Sequence, residues 1–274
     1  MKNNNLKIAF WGTPDVAEKT LEELLNCDLI PNIIITNPDR PQGRGLDLTP
    51  SPVKVLAKKH NLEVITPEKI TTDFIEDFKN REIDVSIVVA YGQILPIEII
   101  DSPKFGTLNI HYSLLPKYRG ASPVESALLS GDTETGVSIQ KMIQKLDAGD
   151  LIGLEKVAIS ETTTKQDLRE KLIQTGAELL VKVLPDYIEG KITPTAQDES
   201  QASRCGKIKK EDGLIDPDGD AQLNYNKYRA YYGWPGVYFF ENGKRIKVTS
   251  ARLENGKFVI EKVIPEGKKE TTWK

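Results

Sequence analysis

The chain has few of the residues that build metal sites and disulfide frameworks. Only two cysteines and two histidines occur among its 274 residues. Cys27 and Cys205 lie far apart and neither has a CxxC partner. A structural zinc site needs about four such ligands, and small secreted folds rely on paired cysteines. We therefore expect no metal, and a reducing cytoplasmic setting.

Long apolar runs and phosphate-binding glycine motifs are also missing. No uninterrupted apolar stretch approaches the roughly 20 residues of a membrane span. The beginning, MKNNNLKIAFWG, shows no apolar signal region with a small-residue cleavage site. Neither GxGxxG nor a P-loop pattern follows the first predicted strand. These absences argue against a membrane protein and against a nicotinamide- or ATP-dependent enzyme.

Charge is spread unevenly along the chain. The net charge is −3, from 37 basic and 40 acidic residues, yet 14 Lys/Arg stand against 10 Asp/Glu from Gly206 onward. A basic segment on an acidic body suits a polyanionic partner such as nucleic acid. It suits a solvated basic face equally well, so charge alone leaves both interpretations open.

Strand and helix patterns alternate over the first part of the chain. The strand-like segments include IAFWG, NIIIT, LEVIT, DVSIVVA and TLNIH. A helix is expected after the first of them, with Thr13 as its cap and Pro14 at its first position. An amphipathic helix is expected at 164–190. The alternation predicts an α/β domain over 1–190 with a doubly wound, mostly parallel, Rossmann-like sheet.

The sequence changes character after the last predicted helix of this domain. Residues 191–213 are polar and aperiodic, which predicts a linker. From 214 to 274, short strand-like pieces surround two ENGK sequences. Asn-Gly between apolar alternations signals a hairpin, because type I′ turns need positive φ at both central residues. We expect a smaller C-terminal β domain at 214–274, of the OB-like barrel type.

Three polar residues are candidates for catalysis. Asn109 and His111 lie at the end of one predicted strand and Asp147 follows another, where ligands of open α/β sheets bind. Asn can donate to an oxyanion at any physiological pH, His can exchange a proton near neutrality, and Asp can orient the imidazole. The set suits addition of a substrate nucleophile to a carbonyl. Spacing alone nevertheless favours ordinary structural roles for these residues.

The segment 38–52, PDRPQGRGLDLTPSP, is predicted to be a long loop without secondary structure. Such loops inside compact domains are commonly functional. Arg40 and Arg44 can meet phosphates or stacked bases at an unpaired nucleic-acid end, and two solvated arginines are the alternative.

Five blocks of the sequence resemble one enzyme family. They are IAFWGTPDVA, PDRPQGRG followed by PSPVKVLA, VVAYGQILP, NIHYSLLPKYRGASP, and GDTETGVSI followed by LDAGD. The fourth block with LDxGD is typical of 10-formyltetrahydrofolate-dependent formyltransferases, and the PDRPxGRG insertion is typical of their methionyl-tRNA branch. The resemblance covers most of residues 7–155 and continues more weakly through 164–190.

The resemblance implies an enzyme of translation initiation. It would transfer the formyl group of 10-formyltetrahydrofolate to the free amino group of methionine on initiator Met-tRNA. Asn109 and His111 would stabilise the tetrahedral oxyanion. Asp147 would hold His111 and help to remove the proton of the attacking amine.

The resemblance also implies two sets of binding residues. The folate would lie against Tyr91, Gly92, Leu95, Ser113, Leu114, Leu115 and Pro116. The tRNA would be contacted by Arg40 and Arg44, with Arg44 near the first acceptor base pair, and by Lys207, Lys209 and Lys210. We expect a monomer.

The chain departs from the family pattern at several positions. Leu46 and Asp47 stand where relatives usually carry basic residues, and the second domain is shorter than usual. Tyr112 replaces a small residue, and we expect it to reshape the pocket beside His111. Two alternatives stay open: a formyltransferase acting on an amino-sugar nucleotide, and a catalytically idle protein that binds folate or tRNA.

Overall fold

A computed structural model describes residues 6–42 and 46–273, and it divides the chain into two compact units. Unit 1 consists of Met1–Arg119, Gly136–Lys156 and Leu172–Ala202; unit 2 consists of Gly120–Thr135, Val157–Lys171 and Ser203–Lys274. Two segments between 120 and 171 thus belong with the C-terminal part of the chain. The domain boundaries predicted at residues 190 and 213 stay a prediction, because a compact unit of the structure is not necessarily a domain that folds independently.

The helices and strands follow one another along the whole described chain. The helices are α1 Asp15–Asn26, α2 Pro52–Lys59, α3 Thr72–Asn80, α4 Ile97–Ile100, α5 Pro123–Leu129, α6 Lys165–Ile188 and α7 Ala221–Ala230. The strands are β1 Ile8–Gly12, β2 Ile33–Ile35, β3 Arg40–Gln42, β4 Asp47–Thr49, β5 Glu63–Ile65, β6 Val85–Val89, β7 Thr107–His111, β8 Arg119–Gly120, β9 Glu134–Lys141, β10 Leu151–Ala158, β11 Arg204–Cys205, β12 Val237–Glu241, β13 Lys244–Glu254, β14 Lys257–Pro265 and β15 Thr271–Thr272.

The central sheet has seven strands in the order β10-β9-β7-β6-β1-β2-β5. From β5 to β7 every neighbouring pair is parallel, and β9 runs antiparallel to β7. β1 and β6 are buried along their whole length. Their apolar, largely β-branched or aromatic residues are what a strand covered on both faces requires. The predicted mostly parallel, Rossmann-like sheet is confirmed.

An aromatic cluster in unit 1 anchors the segment that follows β6. The Trp11 ring meets Phe74, Phe78 and Tyr91 edge-on, with centroids 6.1, 5.1 and 5.2 Å away. Each such pair contributes about 0.5–1.5 kcal/mol beyond the area it buries. Tyr91, the first residue of YGQILP, is thereby held in the core.

The predicted cap of α1 is wrong. Pro14 occupies the cap position, and the Thr13 hydroxyl donates instead to the Tyr91 main-chain oxygen at 2.8 Å. Asn37 donates its side-chain amide to the same oxygen at 3.1 Å. Thr13 therefore ties the ends of β1 and β6 together, a longer-range bond that competes successfully with helix capping.

The expectation of a structureless loop at 38–52 is also wrong. β3 and β4 form an antiparallel hairpin with the pairs Arg40–Thr49, Pro41–Leu48 and Gln42–Asp47. The sequence did not indicate β3 because this strand contains Pro41, and proline is uncommon inside a sheet and is tolerated mainly at edges. Arg44 lies outside the described residues.

The C-terminal antiparallel strands are confirmed. β12, β13, β14 and β15 pair in chain order as an open antiparallel sheet among the described residues. Both ENGK turns have the predicted positive φ, with Asn242 at 49° and Asn255 at 49°, each followed by a glycine above 70°. Helix α7, which precedes the sheet, was not predicted.

The longest described helix, α6, spans Lys165–Ile188 and confirms the helix predicted at 164–190. Within residues 6–42 and 46–273, no helix is long and apolar enough to cross a membrane.

Candidate active site

β7 delivers two of the candidate catalytic side chains to one face of the sheet. Asn109 and His111 are separated by one residue, and alternate side chains of a strand share a face. Asn109 Nδ2 lies 3.5 Å from Asp147 Oδ1, and His111 Nδ1 lies 3.8 Å from Asp147 Oδ2. The structure thus brings the three residues together in unit 1, with His111 6% and Asp147 11% exposed.

The main chain fixes the orientation of the His111 ring. His111 Nε2 lies 2.9 Å from the Tyr118 carbonyl oxygen. A carbonyl only accepts, so Nε2 must carry the hydrogen of this bond. Nδ1 is therefore the ring nitrogen that faces Asp147 and can exchange a proton on that side.

Asp147 reaches this site by a route that the sequence analysis did not foresee. Because β9 is antiparallel to β7, its last residues lie opposite Leu108, near the beginning of β7. The following loop folds back, and Asp147 adopts a left-handed backbone with φ of 50°. Gly149 permits this return, because a Cβ there would lie 1.7 Å from the Lys141 carbonyl oxygen.

Two glutamines hold the returning loop. Gln140 donates to Asp147 Oδ1 at 3.0 Å and accepts from the Gly149 N–H at 3.1 Å. Gln197 donates to the main-chain oxygens of Asp147 and Gly149 at 3.0 and 2.7 Å. Neither was among the predicted site residues. A polar residue on the buried strand VSIQK was the available signal for Gln140, but its neighbours depend on strand register.

A buried guanidinium supports Gln197 in turn. Arg119 donates to Gln197 Oε1 from Nε and Nη2 and to both carboxylate oxygens of Glu199. Lys145 also donates to Glu199, at 2.9 Å. Hydrogen bonds from Arg119 and then Lys145 lower the pKa of Glu199 to about 2. Arg119 is 4% exposed, so these partners neutralise a charge that would be costly to bury alone.

The predicted folate-binding segment after β6 has both buried and exposed side chains. Tyr91 and Leu95 are buried in the core cluster around Trp11, while Ile94 is 93% exposed. The Tyr91 hydroxyl is buried, and no described residue forms a hydrogen bond with it. Burial raises the pKa of Tyr91 to about 12, so the group is a neutral donor and acceptor. Gly92 has φ of 89° and faces open space except for Asn37.

The second predicted folate segment, Ser113 to Pro116, forms a turn whose polar groups are internally satisfied. The Ser113 hydroxyl donates to the Lys117 carbonyl at 2.6 Å. The Ser138 hydroxyl donates to the Ser113 carbonyl and accepts from the Leu115 N–H. Leu114 packs close to Gly136, where a Cβ would lie 2.5 Å from its side chain. The turn is therefore a fixed wall next to β7.

The expectation that Tyr112 reshapes the pocket beside His111 is wrong. Strand alternation turns Tyr112 to the opposite face, where its hydroxyl lies 2.6 Å from the Thr20 hydroxyl. The ring packs near Gly176 of α6 and the side chain is buried.

The predicted tRNA-binding residues lie in different parts of the chain. In unit 1, Arg40 of β3 is exposed and pairs with Glu68 at 2.9 Å. It lines a cavity of about 500 Å³ beside the ends of β1 and β2, together with polar residues such as Asn37, Glu68 and Gln93 and with three prolines. In unit 2, Lys207, Lys209 and Lys210 are all exposed.

Known family models match two parts of the chain. The model described as formyl transferase matches residues 6–184, and the model described as formyl transferase, C-terminal domain, matches residues 207–269.

Curated relatives are similar over most of the chain. The methionyl-tRNA formyltransferase of Bdellovibrio bacteriovorus is 43% identical over 253 residues, covering 91% of this chain and 80% of the relative. That of Bacillus subtilis is 40% identical over 247 residues, covering 90% and 78%.

Solved structures share the fold at lower identity. A methionyl-tRNA formyltransferase from Clostridium thermocellum has a TM-score of 0.62 at 18% identity, covering 95% of this chain and 98% of its own. An N-formyltransferase from Helicobacter canadensis, solved with folinic acid and dTDP-3-aminofucose, has a TM-score of 0.69 at 21% identity, covering 91% and 88%. The fold is thus common to enzymes with different acceptors.

Proposed function

This chain belongs to the methionyl-tRNA formyltransferase family, and we propose that Asn109, His111 and Asp147 are its catalytic residues. The enzyme transfers a formyl group from 10-formyltetrahydrofolate to the amino group of methionine on initiator Met-tRNA. The observation that carries the assignment is the approach of Asn109 and His111 to the Asp147 carboxylate within 3.8 Å.

Each of the three side chains has a role that its chemistry supports. Asn109 donates its amide to the formyl oxygen as that oxygen gains negative charge during attack by the amine. His111 and Asp147 together receive the proton that the amine loses when the new C–N bond forms. They return a proton to the folate nitrogen when the old bond between that nitrogen and the formyl carbon breaks and tetrahydrofolate leaves. The Tyr118 carbonyl keeps His111 Nε2 protonated and Nδ1 directed toward Asp147. No protein nucleophile is required, because the attacking nitrogen belongs to the acceptor.

The residues after β6 fit a bound folate, which supplies the formyl group. The exposed Ile94 offers apolar contact to a flat ring system, and Gly92 leaves room for close approach to the backbone. The buried Tyr91 hydroxyl offers a donor and an acceptor that no described residue uses. We assign the fixed Ser113–Pro116 turn to the opposite side of the same ligand.

The acceptor end of the tRNA is assigned to the surface around the β3–β4 hairpin. Arg40 supplies a positive charge there, beside the carboxylates of Asp15 and Glu68, and the adjacent cavity can accommodate a nucleotide-sized group. Arg44, which follows β3 in the sequence, is the second arginine that we propose to meet the tRNA. The exposed lysines 207, 209 and 210 supply further phosphate contacts. Binding through phosphate contacts weakens steeply as salt rises.

An amino-sugar nucleotide is the competing acceptor. It is favoured by the fold shared with the Helicobacter canadensis enzyme. The sequence argues for tRNA, because relatives named for methionyl-tRNA reach 43% identity whereas that structure reaches 21%. We place the reaction in the cytoplasm, where translation initiates, and expect a monomer.

The test offers labelled 10-formyltetrahydrofolate and three acceptors to the purified protein: initiator Met-tRNA, elongator Met-tRNA and dTDP-3-aminofucose. Label is expected on initiator Met-tRNA only. Transfer to the sugar alone would retain the chemistry and overturn the acceptor. Absence of transfer to any acceptor, with folate and tRNA still bound, would identify a binding protein that does not catalyse.

A further inference from the structure

Gln140 lies at the centre of the catalytic group without belonging to it. It sits on β9 directly opposite Asn109 of β7, and paired residues of neighbouring strands project their side chains to the same face. The side chain is 1% exposed. A buried amide needs partners for both its oxygen and its nitrogen, and here both are on the Asp147 loop.

The hydrogen bonds of Gln140 allow only one orientation of its amide. The Gly149 N–H is a donor, so the atom 3.1 Å away must be the amide oxygen Oε1. Nε2 consequently faces Asp147 Oδ1 at 3.0 Å and donates to it. Flipping the amide would place two donors together at Gly149 and two acceptors together at Asp147.

Asp147 Oδ1 has a second neighbour, at a longer distance. Asn109 Nδ2 lies 3.5 Å from this oxygen, at the outer limit of a hydrogen bond, whereas Gln140 Nε2 lies at 3.0 Å. Asn109 can therefore leave Asp147 at little cost when a formyl oxygen is present. After that movement Gln140 Nε2 would still donate to Asp147 Oδ1.

We propose that Gln140 is a positioning residue: its donation to Asp147 Oδ1 keeps the carboxylate in place and releases Asn109 to the developing oxyanion. Asp147 Oδ2 is thereby kept on the side of His111 Nδ1. This inference rests on the proposed catalytic role of Asn109 and Asp147. It adds a residue that acts through Asp147 and touches no substrate.

The decisive variant is Gln140→Glu, which has nearly the same shape. A glutamate still accepts from the Gly149 N–H, but it replaces the donor facing Asp147 with a second carboxylate oxygen. Gln140→Met removes both bonds at similar volume. A second carboxylate about 3 Å from Asp147 would repel it or share a proton with it, so the glutamate variant tests whether this position needs a neutral amide. The double-mutant cycle with Asp147→Asn separates donation to Asp147 from anchoring at Gly149.

We expect both variants to lower kcat for formyl transfer by about 10- to 100-fold, since hydrogen bonds to charged groups are among the stronger ones. KM for the folate and for Met-tRNA should stay within about threefold. In an Asp147→Asn background, Gln140→Met should change kcat by less than about threefold, because the two residues act as one unit. A kcat near wild type for Gln140→Met, or full additivity with Asp147→Asn, overturns the proposal.

Gln174→Met is the matched control. Gln174 also donates its amide to a carboxylate, Glu178 Oε1, at 2.9 Å, but on the exposed face of α6. Its substitution should leave kcat and KM unchanged. A loss of kcat equal to that of Gln140→Met would mean that removing any such amide perturbs the enzyme, and would overturn the specific role.

An NMR measurement separates this inference from the proposed function. The side-chain amide protons of Gln140 should exchange slowly with D₂O in wild type and at least about tenfold faster in Asp147→Ala. This readout needs no substrate. If wild type formylates no acceptor, the proposed function fails while the NMR result still decides whether Gln140 holds Asp147. Equal exchange in both proteins overturns the contact itself.

Discussion

The Ser138 hydroxyl donates to the Ser113 carbonyl at 2.6 Å and thereby ties the turn after β7 to strand β9. The same hydroxyl accepts from the Leu115 N–H at 3.0 Å. Ser113 and Ser138 are fully buried. One side chain thus satisfies two main-chain groups of the segment that we assign to the folate.

Ser138→Ala should loosen this turn. Two buried main-chain groups lose their partner, which costs about 1–3 kcal/mol of unfolding free energy. We expect folate affinity to fall and kcat at saturating folate to change little. Urea unfolding and folate titration measure the two effects. Ser126→Ala, which removes an intrahelical bond to the Ser122 carbonyl, is the control and should leave folate affinity intact.

Tyr112→Phe tests the finding that Tyr112 lies on the face of the sheet opposite to Asn109 and His111. The substitution removes the hydroxyl that pairs with Thr20 and keeps the ring. Stability should fall by about 1 kcal/mol, the net contribution of one hydrogen bond, while kcat and KM stay unchanged. Thermal unfolding and steady-state kinetics measure this. A severalfold change in kcat at unchanged stability would contradict this finding and would place the Tyr112 hydroxyl in the pocket beside His111.

The Glu199 carboxylate should make the free energy of unfolding depend on pH in the acidic range. Its pKa is lowered from 4.5 to about 2 by Arg119 and Lys145, so the folded state favours the charged form. The contribution is fully present above pH 4.5 and disappears as pH falls toward 2. Wild type should therefore be more stable than Glu199→Gln at pH 6, and the difference should shrink between pH 4.5 and 3.

The control for this pH dependence is Glu178→Gln. Glu178 accepts one bond from Gln174 on the exposed face of α6. In urea unfolding across the same pH range, the free energy of unfolding of Glu178→Gln should differ from that of wild type by less than the value for Glu199→Gln does. A Glu199→Gln difference that stays constant down to pH 3 would contradict the assigned partners.

Strand β7, which carries Asn109 and His111, was predictable because its pattern is local in the sequence. Asn109 and His111 are two residues apart on an apolar strand, and strand periodicity alone places them on one face. The ENGK turns were predictable for the same reason, since Asn-Gly tolerates the positive φ of a tight hairpin.

The positions of Asp147 and of Gln140, which donates to it, depend on pairing between strands that are distant in the sequence. The antiparallel direction of β9 and the return of its loop place Gln140 beside Asp147, and no local pattern specifies that register. Helix α7 was not predicted because its Tyr and Asn residues have low helix propensity. The β3–β4 hairpin was not predicted because Pro41 is of a residue type that is uncommon inside strands. Tertiary packing outweighed those preferences.

Asn109→Ala tests the central claim most directly. Loss of an oxyanion donor typically lowers the rate by roughly 10²–10³-fold, equivalent to about 2.7–4 kcal/mol. The measurement is the single-turnover rate constant for formyl transfer to initiator Met-tRNA at saturating folate, with retained folate binding as proof of folding. We predict a fall of that size. A rate within about tenfold of wild type would contradict the oxyanion role of Asn109 and, with it, the catalytic site assigned to this chain.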